Sequence, residues 1–226
     1  MGHSIELRRA FPLLKGLTDA ELEAAPVTRI ECAAGDRLFD QGDPGDAVYG
    51  VLTGRVRIVK QAAAGREFTL DVFGPGDLVA AVAVLRGVPM PASAIALEPT
   101  ICLKIEGDWY KRVMGGHPEL STRTLDVMMG RLLEAGNARL RLATAPVEAR
   151  LAASLLRMGD KFGVSRNGEI WIGRSFTRQN LADLAGTTVE TTIRVMSRWT
   201  RDEWISSQGG RIQILKPAEL QRIAET

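Results

Sequence analysis

The sequence predicts a mixed α+β fold in three parts: a β-rich N-terminal domain with a helical leader segment (1–117), a long helix with its hinge (118–145), and a winged helix-turn-helix (146–226). Three observations carry this reading. From about residue 27 to 106, short apolar runs are punctuated by Gly, Pro and Asp, as in a small barrel or sandwich. From Glu119 to Leu142 the apolar period changes to alternating steps of three and four, with no interior proline. Between Phe176 and Leu215, a small residue, a turn glycine and two helix caps precede two short strands.

Composition narrows the classes of function. The 226 residues are 45% hydrophobic and 25% charged, which excludes wholesale disorder and a collagen-like repeat. The longest apolar stretches, such as LVAAVAVL (78–85), are too short to span a bilayer, and MGHSIELRRAF lacks the apolar core of a signal peptide. Only Cys32 and Cys102 are present, too few for a disulfide framework or a four-thiolate cluster, so a reduced, cytoplasmic protein without a membrane partner is expected. The net charge of +2 is unevenly divided: residues 1–149 carry 17 basic and 19 acidic side chains, residues 150–226 carry 12 and 8. The excess of positive charge in the C-terminal part is what a polyanion-binding domain would show.

In the first part the candidate strands are RLF (37–39), AVYGVL (47–52), RVRIVK (55–60), EFTLDVF (67–73), SAIAL (93–97) and TICLKI (100–105). RVRIVK alternates polar and apolar residues, the mark of a strand with one buried face. Breakers at QGDPGD (41–46), TG (53–54), AAGR (63–66) and GPGD (74–77) supply the turns. Pro118 suits the first turn of the long helix. Leu125, Met128, Leu132, Ala135 and Leu142 form one apolar seam, and Met129, Leu133, Gly136 and Leu140 a second beside it. A helix apolar on two adjacent faces needs cover from two sides, its own domain and a partner helix; a core helix in a monomer is the alternative. Pro146 in TAPVE (144–148) marks a hinge before a further helix at about 147–160. KFGVSRNGE (161–169) reads as a loop and IWI (170–172) as a short strand.

The stretch 176–205 carries the chemistry. Thr177 is placed to cap a helix ending near Ala185; Ala182 allows a close helix crossing, Gly186 makes the turn, and Thr188 caps the next helix with Glu190 near its positive end. Leu181, Leu184 and Val195 are the expected buried aliphatics, and Thr192 falls at a position where burial is also expected. A generic helix corner would share this pattern, so the exposed face decides. Val189, Glu190, Ile193 and Arg194 share that face, flanked by Thr188 and Thr191. Arg can pair with guanine O6 and N7, Glu can accept from a base amino group, and aliphatics can meet thymine methyls. Alternatively Glu190 and Arg194 form a helix ion pair. Arg178 and Gln179 open the first helix, where phosphate contacts occur, and WISSQGGRIQIL (204–215) reads as a β-wing turning at Gly209-Gly210, with Arg211 toward phosphate.

Taken together, GDRLFDQGDPGDAVYGVLTGRVRIVK (35–60), VFGPGDLVA (72–80) and FTRQNLADLAG followed by VETTIR resemble the CRP/FNR family of bacterial transcription regulators. The resemblance runs from about Gly35 to Leu215. It implies a cyclic-nucleotide-binding-like β-roll, a homodimer paired along the helix at 119–143, a palindromic double-stranded DNA operator, and RNA polymerase as a partner if the protein activates. The reading positions resemble the FNR-like pattern of Glu, two residues, Ser, Arg: Glu190 and Arg194 match, while Ile193 replaces Ser and Val189 replaces the Arg of the cyclic-AMP receptor branch. Half-sites near TTGAT or TTGAC follow from the resemblance, with Arg194 on the guanine.

The same resemblance separates this chain from the cyclic-AMP branch. The family's Gly-Glu pair is replaced by Ala80-Ala81 and its Arg-Ser pair by Ala92-Ser93, so no carboxylate stands ready for the ribose and no guanidinium for the cyclic phosphate. The polar pair on the long helix becomes Ala135-Gly136. The expected effector pocket, drawn from Ala80, Ala81, Val82, Val84, Ser93, Met128, Ala135 and Gly136, is small or apolar. Cyclic AMP and an iron–sulfur cluster are therefore not expected. Haem is retained as an option because His3, His117, Cys32, Cys102 and seven methionines offer axial ligands. Control by expression level or by cysteine redox chemistry is the third option. No Ser-His-Asp set, metal cluster or phosphate loop supports an enzyme, and the exposed Val189–Arg194 face argues against a simple ligand-binding module.

Overall fold

The computed structural model describes residues 3–61, 67–173, 176–208 and 211–225. The chain divides into two compact units, Met1–Arg131 and Leu132–Thr226.

The first unit opens with α1 (His3–Ala10), a 3-10 turn at Pro12–Leu14 and α2 (Asp19–Glu23). Among the described residues, eight strands follow: β1 (Val27–Cys32), β2 (Arg37–Phe39), β3 (Ala47–Thr53), β4 (Val56–Gln61), β5 (Glu67–Phe73), β6 (Leu78–Val79), β7 (Ser93–Ala96) and β8 (Thr100–Glu106). Helix α3 (Ala81–Arg86) interrupts them, and α4 (Gly107–Gly116) leads to the long α5 (Pro118–Thr144), whose first half belongs to this unit. The strands form two antiparallel four-stranded sheets, ordered β1-β8-β3-β6 and β2-β7-β4-β5. Ala47 to Val51 of β3 are all buried, which explains a continuous apolar run where one-faced strands alternate. Its Gly50 is required by close approach: a Cβ there would lie 2.3 Å from the Phe11 ring, so the leader segment packs directly on the β3 backbone.

The stretch at 78–85 that reads as one apolar run is two elements. Leu78–Val79 pairs with β3, and the chain then turns through Ala80 (φ 70°) into α3. The edge strand β1 also departs from the sequence reading, because its partial exposure leaves little alternation to detect.

The second unit contains the end of α5, then α6 (Val147–Phe162), β9 (Val164–Arg166), β10 (Glu169–Ile172), α7 (Arg178–Ala185), α8 (Val189–Arg201), β11 (Ile205–Gln208), β12 (Arg211–Ile214) and α9 (Pro217–Ala224). Its sheet is ordered β11-β12-β10-β9. The segment read as a loop at 161–169 thus includes a strand: Ser165 pairs with Ile170 and Arg166 with Glu169, around Asn167-Gly168 with both residues at positive φ. All three β9 residues are exposed, so no burial pattern marks them. The Gly209-Gly210 turn of the wing and the breaker at 63–66 lie outside the described residues. Among the described residues, no helix is long and apolar enough to cross a membrane.

Candidate functional site

Two regions carry potential chemistry, one in each unit. In the second unit, α7 starts on a reciprocal cap: the Asn180 amide donates to Thr177 Oγ1 (3.2 Å), and the Thr177 amide donates to Asn180 Oδ1 (3.0 Å). Gly186 ends α7 in the left-handed region at φ 60°. Thr188 caps α8 by accepting from the Thr191 amide (3.2 Å). Thr192 is fully buried with its hydroxyl satisfied, donating to the Thr188 carbonyl at 2.9 Å. Leu181 and Val195 are buried; Leu184, expected beside them, is only half-buried.

The exposed face of α8 carries Glu190, Ile193 and Arg194, with Val189 and Thr191 half-buried at its edges. Ile193 is 48% exposed, a poor solvent-facing choice that gains meaning if the face is covered on binding. Hydrogen bonds to its own backbone amide and to the Thr188 side chain hold the Glu190 carboxyl below the ordinary carboxylate range. Its charge therefore sits at the positive end of α8. Among the described residues, Arg194 makes no hydrogen bond or ion pair, and none joins it to Glu190. Arg178 donates to Ser207 Oγ of the wing strand at 2.7 Å and Gln179 to Asp183 Oδ1 at 2.7 Å; Arg211 is exposed on β12. The structure thus ties Arg178 into the domain, where the sequence suggests a side chain reaching outward.

Two positioning groups escaped the sequence reading. Glu148 Oε1, in the first turn of α6, accepts from the buried Trp199 Nε1 (2.9 Å) and pairs with Arg198. Arg150 spreads its guanidinium over the carbonyls of Ala185 (2.9 Å), Gly186 (3.1 Å) and Ala145 (3.2 Å). It joins the exit of α5 to the turn between α7 and α8. Leu142 of α5 packs over the same turn: a Cβ on Gly186 would meet Leu142 Cδ2 at 2.3 Å. A buried Trp needs a partner for its N–H, and that was the one available signal.

In the first unit a cavity of about 560 Å³ lies between strands, α3 and the first half of α5. Of the predicted pocket residues, Ala80, Ala81, Val82 and Met128 line it. Ser93 does not: its hydroxyl accepts from the Gln41 amide (2.9 Å) and donates to Asp40 Oδ1 (3.3 Å). Val84 points into the core instead, and Ala135 and Gly136 are exposed residues of the second unit. Arg131 of α5 closes one side, bonded to Asp71 Oδ2 (2.6 Å) and Asp77 Oδ1 (2.8 Å), with its guanidinium 3.9 Å above the Phe73 ring centroid.

Among the described residues, the His and Cys candidates for a cofactor do not converge. His117 has both ring nitrogens facing carboxylates, Nε2 on Glu21 (2.6 Å) and Nδ1 on Glu119 (3.3 Å). Cys32 and Cys102 are buried; burial pushes the Cys102 thiol up to about 12 and raises that of Cys32. The His3 side chain lies outside the described residues. No group of three His, Cys, Asp or Glu side chains among the described residues is arranged to hold a metal.

Comparison with known proteins joins the two regions. Residues 29–117 match the family model of the cyclic nucleotide-binding domain, and residues 149–223 that of the Crp-like helix-turn-helix domain. The chain is 30% identical over 220 residues to the cyclic AMP receptor protein of Thermus thermophilus, covering 96% of this chain and 98% of that one. It is 27% identical over 195 residues to a CRP-like cAMP-activated global transcriptional regulator of Mycobacterium tuberculosis, covering 86% and 87%. Among solved structures, a CRP/FNR-family transcriptional regulator from Thermus thermophilus superimposes with a TM-score of 0.70 at 28% identity, covering 88% of this chain and 99% of that one. FixK2 from Bradyrhizobium japonicum shares the fold with a TM-score of 0.76 at 22% identity, covering 87% and 96%.

Proposed function

Because the chain belongs to the CRP/FNR family of transcription regulators, with a DNA-binding helix-turn-helix, we propose that it acts as a homodimer on a palindromic operator with TTGAT- or TTGAC-like half-sites. One observation carries the reading of DNA: the unpaired, exposed Arg194 beside Glu190 and Ile193 on the first two turns of α8. Arg194 takes the guanine through O6 and N7, Glu190 accepts from a base amino group, and Val189 and Ile193 meet thymine methyls. Thr188 and Thr191 border the same groove, while Gln179 and Arg211 meet phosphates. Arg178 contributes by holding the wing strand to α7 through Ser207. Pairing runs along α5, where Leu125 is 65%, Leu132 66% and Leu142 49% exposed in the single chain, with Met128 and Ala135 on the same seam. Such a dimer presents two α8 helices to half-sites about one helical turn apart.

The effector of the β-domain is something other than cyclic AMP, although two of the relatives named above carry cyclic AMP in their names. Ala81 and Ala92 stand at the cavity where a carboxylate and a guanidinium would be needed. The described His and Cys side chains do not favour haem or an iron–sulfur cluster, since His117 is engaged at both nitrogens and the two cysteines are buried thiols. The raised thiols argue equally against cysteine redox control. RNA polymerase is a partner only if the bound dimer activates. A gel shift on a TTGAT palindrome tests the reading: wild type binds at low salt and Arg194→Ala loses about 1–3 kcal/mol. Failure of wild type to bind would overturn it.

A further inference from the structure

We propose that the cavity of the first unit takes a compact, apolar, non-phosphorylated small molecule, and that no anionic nucleotide occupies it. This deepens the sensing role given above and rests on it. The volume of about 560 Å³ lies within the range of small-molecule pockets, roughly 300–1,000 Å³. The walls are Phe39, Ile58, Phe73, Val79, Met90 and Met128, so burial of apolar surface is the available driving force.

Charge decides the class of ligand. Asp77, Arg123, Asp126 and Arg131 are the ionisable groups of the lining, two of each sign. Arg131 is the cation that a phosphate would seek, but Asp71 and Asp77 already hold it from two sides, and Phe73 covers its face. The three side chains are only 23–26% exposed, so the bracket is poorly screened by solvent. An entering phosphate would have to displace two carboxylates and then remain beside them. Arg123 donates to the Lys15 carbonyl and has Glu119 close by. The first turn of α3, Ala81 to Val84, brings no side-chain cation, and its one basic residue, Arg86, lies in the last turn. A neutral apolar molecule meets none of these obstacles, and the Phe73 ring of the cavity wall is stacked against Arg131 of α5.

The test uses full-length protein with the neutral fluorescent probe N-phenyl-1-naphthylamine, cyclic AMP as competitor, and operator binding measured on the same preparations. The expected result is saturable probe binding that millimolar cyclic AMP does not displace, together with an altered operator affinity. Ala92→Phe fills the cavity and Val82→Glu places a charge at its exposed lip; each should weaken the probe about tenfold or more. The second variant keeps the test informative if the first folds poorly. Displacement by cyclic AMP, or undiminished binding in the folded variants, overturns the proposal; the latter would move the probe to another surface, such as the seam between two α5 helices. Absence of probe binding with operator binding intact overturns the ligand class alone. Probe binding without any change in operator affinity upholds the ligand class and removes the sensing role.

Discussion

Glu148 shows how much of this DNA-binding unit depends on a single carboxylate. It satisfies the only polar atom of the buried Trp199 and pairs with Arg198, so one side chain fixes the rear of α8 while the front stays open. Glu148→Ala leaves the indole N–H buried without a partner and should cost about 1–3 kcal/mol of stability, measured by denaturant unfolding, whereas Glu148→Gln should recover much of it. His117 plays a comparable part in the first unit, joining α2 to the start of α5 through Glu21 and Glu119. Its folded pKa is raised above 6.5, chiefly by the hydrogen bond to Glu21, so its contribution is complete below 6.5 and lost as pH rises through the folded value. The Glu21 carboxyl is lowered to about 2, first by the Thr18 hydroxyl, so its contribution is complete above 4.5 and lost as pH falls toward 2. The clasp is therefore strongest between these two limits. The melting temperature of full-length protein should fall above neutrality, and His117→Gln should flatten that fall; an unchanged slope would contradict the assignment.

At the scale of elements, the turn between α7 and α8 is over-determined. Gly186 combines positive φ with the contact of Leu142, and Arg150 binds its carbonyl. Gly186→Ala should destabilise the second unit by more than about 1 kcal/mol in thermal or denaturant melts, through backbone strain and displacement of Leu142. This element was legible in the sequence because its signals are local: Thr177, Ala182, Gly186 and Thr188 lie within a dozen positions and each has one main use. The groups that brace it were not, since Glu148 lies 51 residues from Trp199 and Arg150 lies 36 from Gly186. The cavity shows the same limit. Its walls come from the leader segment, five strands or their flanks, α3 and α5, so sequence reasoning found Ala80, Ala81, Val82 and Met128 but misplaced Ser93 and Val84. Strand β9 was missed for want of any buried residue, and β6 because a two-residue strand merged with the apolar helix after it.

For the whole molecule, the uneven charge and the exposed α5 seam are its most informative features. The 12 basic side chains of residues 150–226, against 8 acidic ones, all fall in the part matched by the helix-turn-helix family. Exposed Leu125, Leu132 and Leu142 have no reason to face water in a working molecule. Leu125→Asp with Leu132→Asp should convert the proposed dimer to monomers in sedimentation velocity, leave the helical circular dichroism unchanged, and weaken operator binding. The claim that Arg194 reads a guanine is decided by a protein-by-base cycle in fluorescence anisotropy. Wild type and Arg194→Ala are each measured on the TTGAT palindrome and on one with its guanines replaced. Arg194→Ala should lose about 1–3 kcal/mol on the first operator and little on the second. An equal loss on both operators would make Arg194 a phosphate contact and contradict the claim.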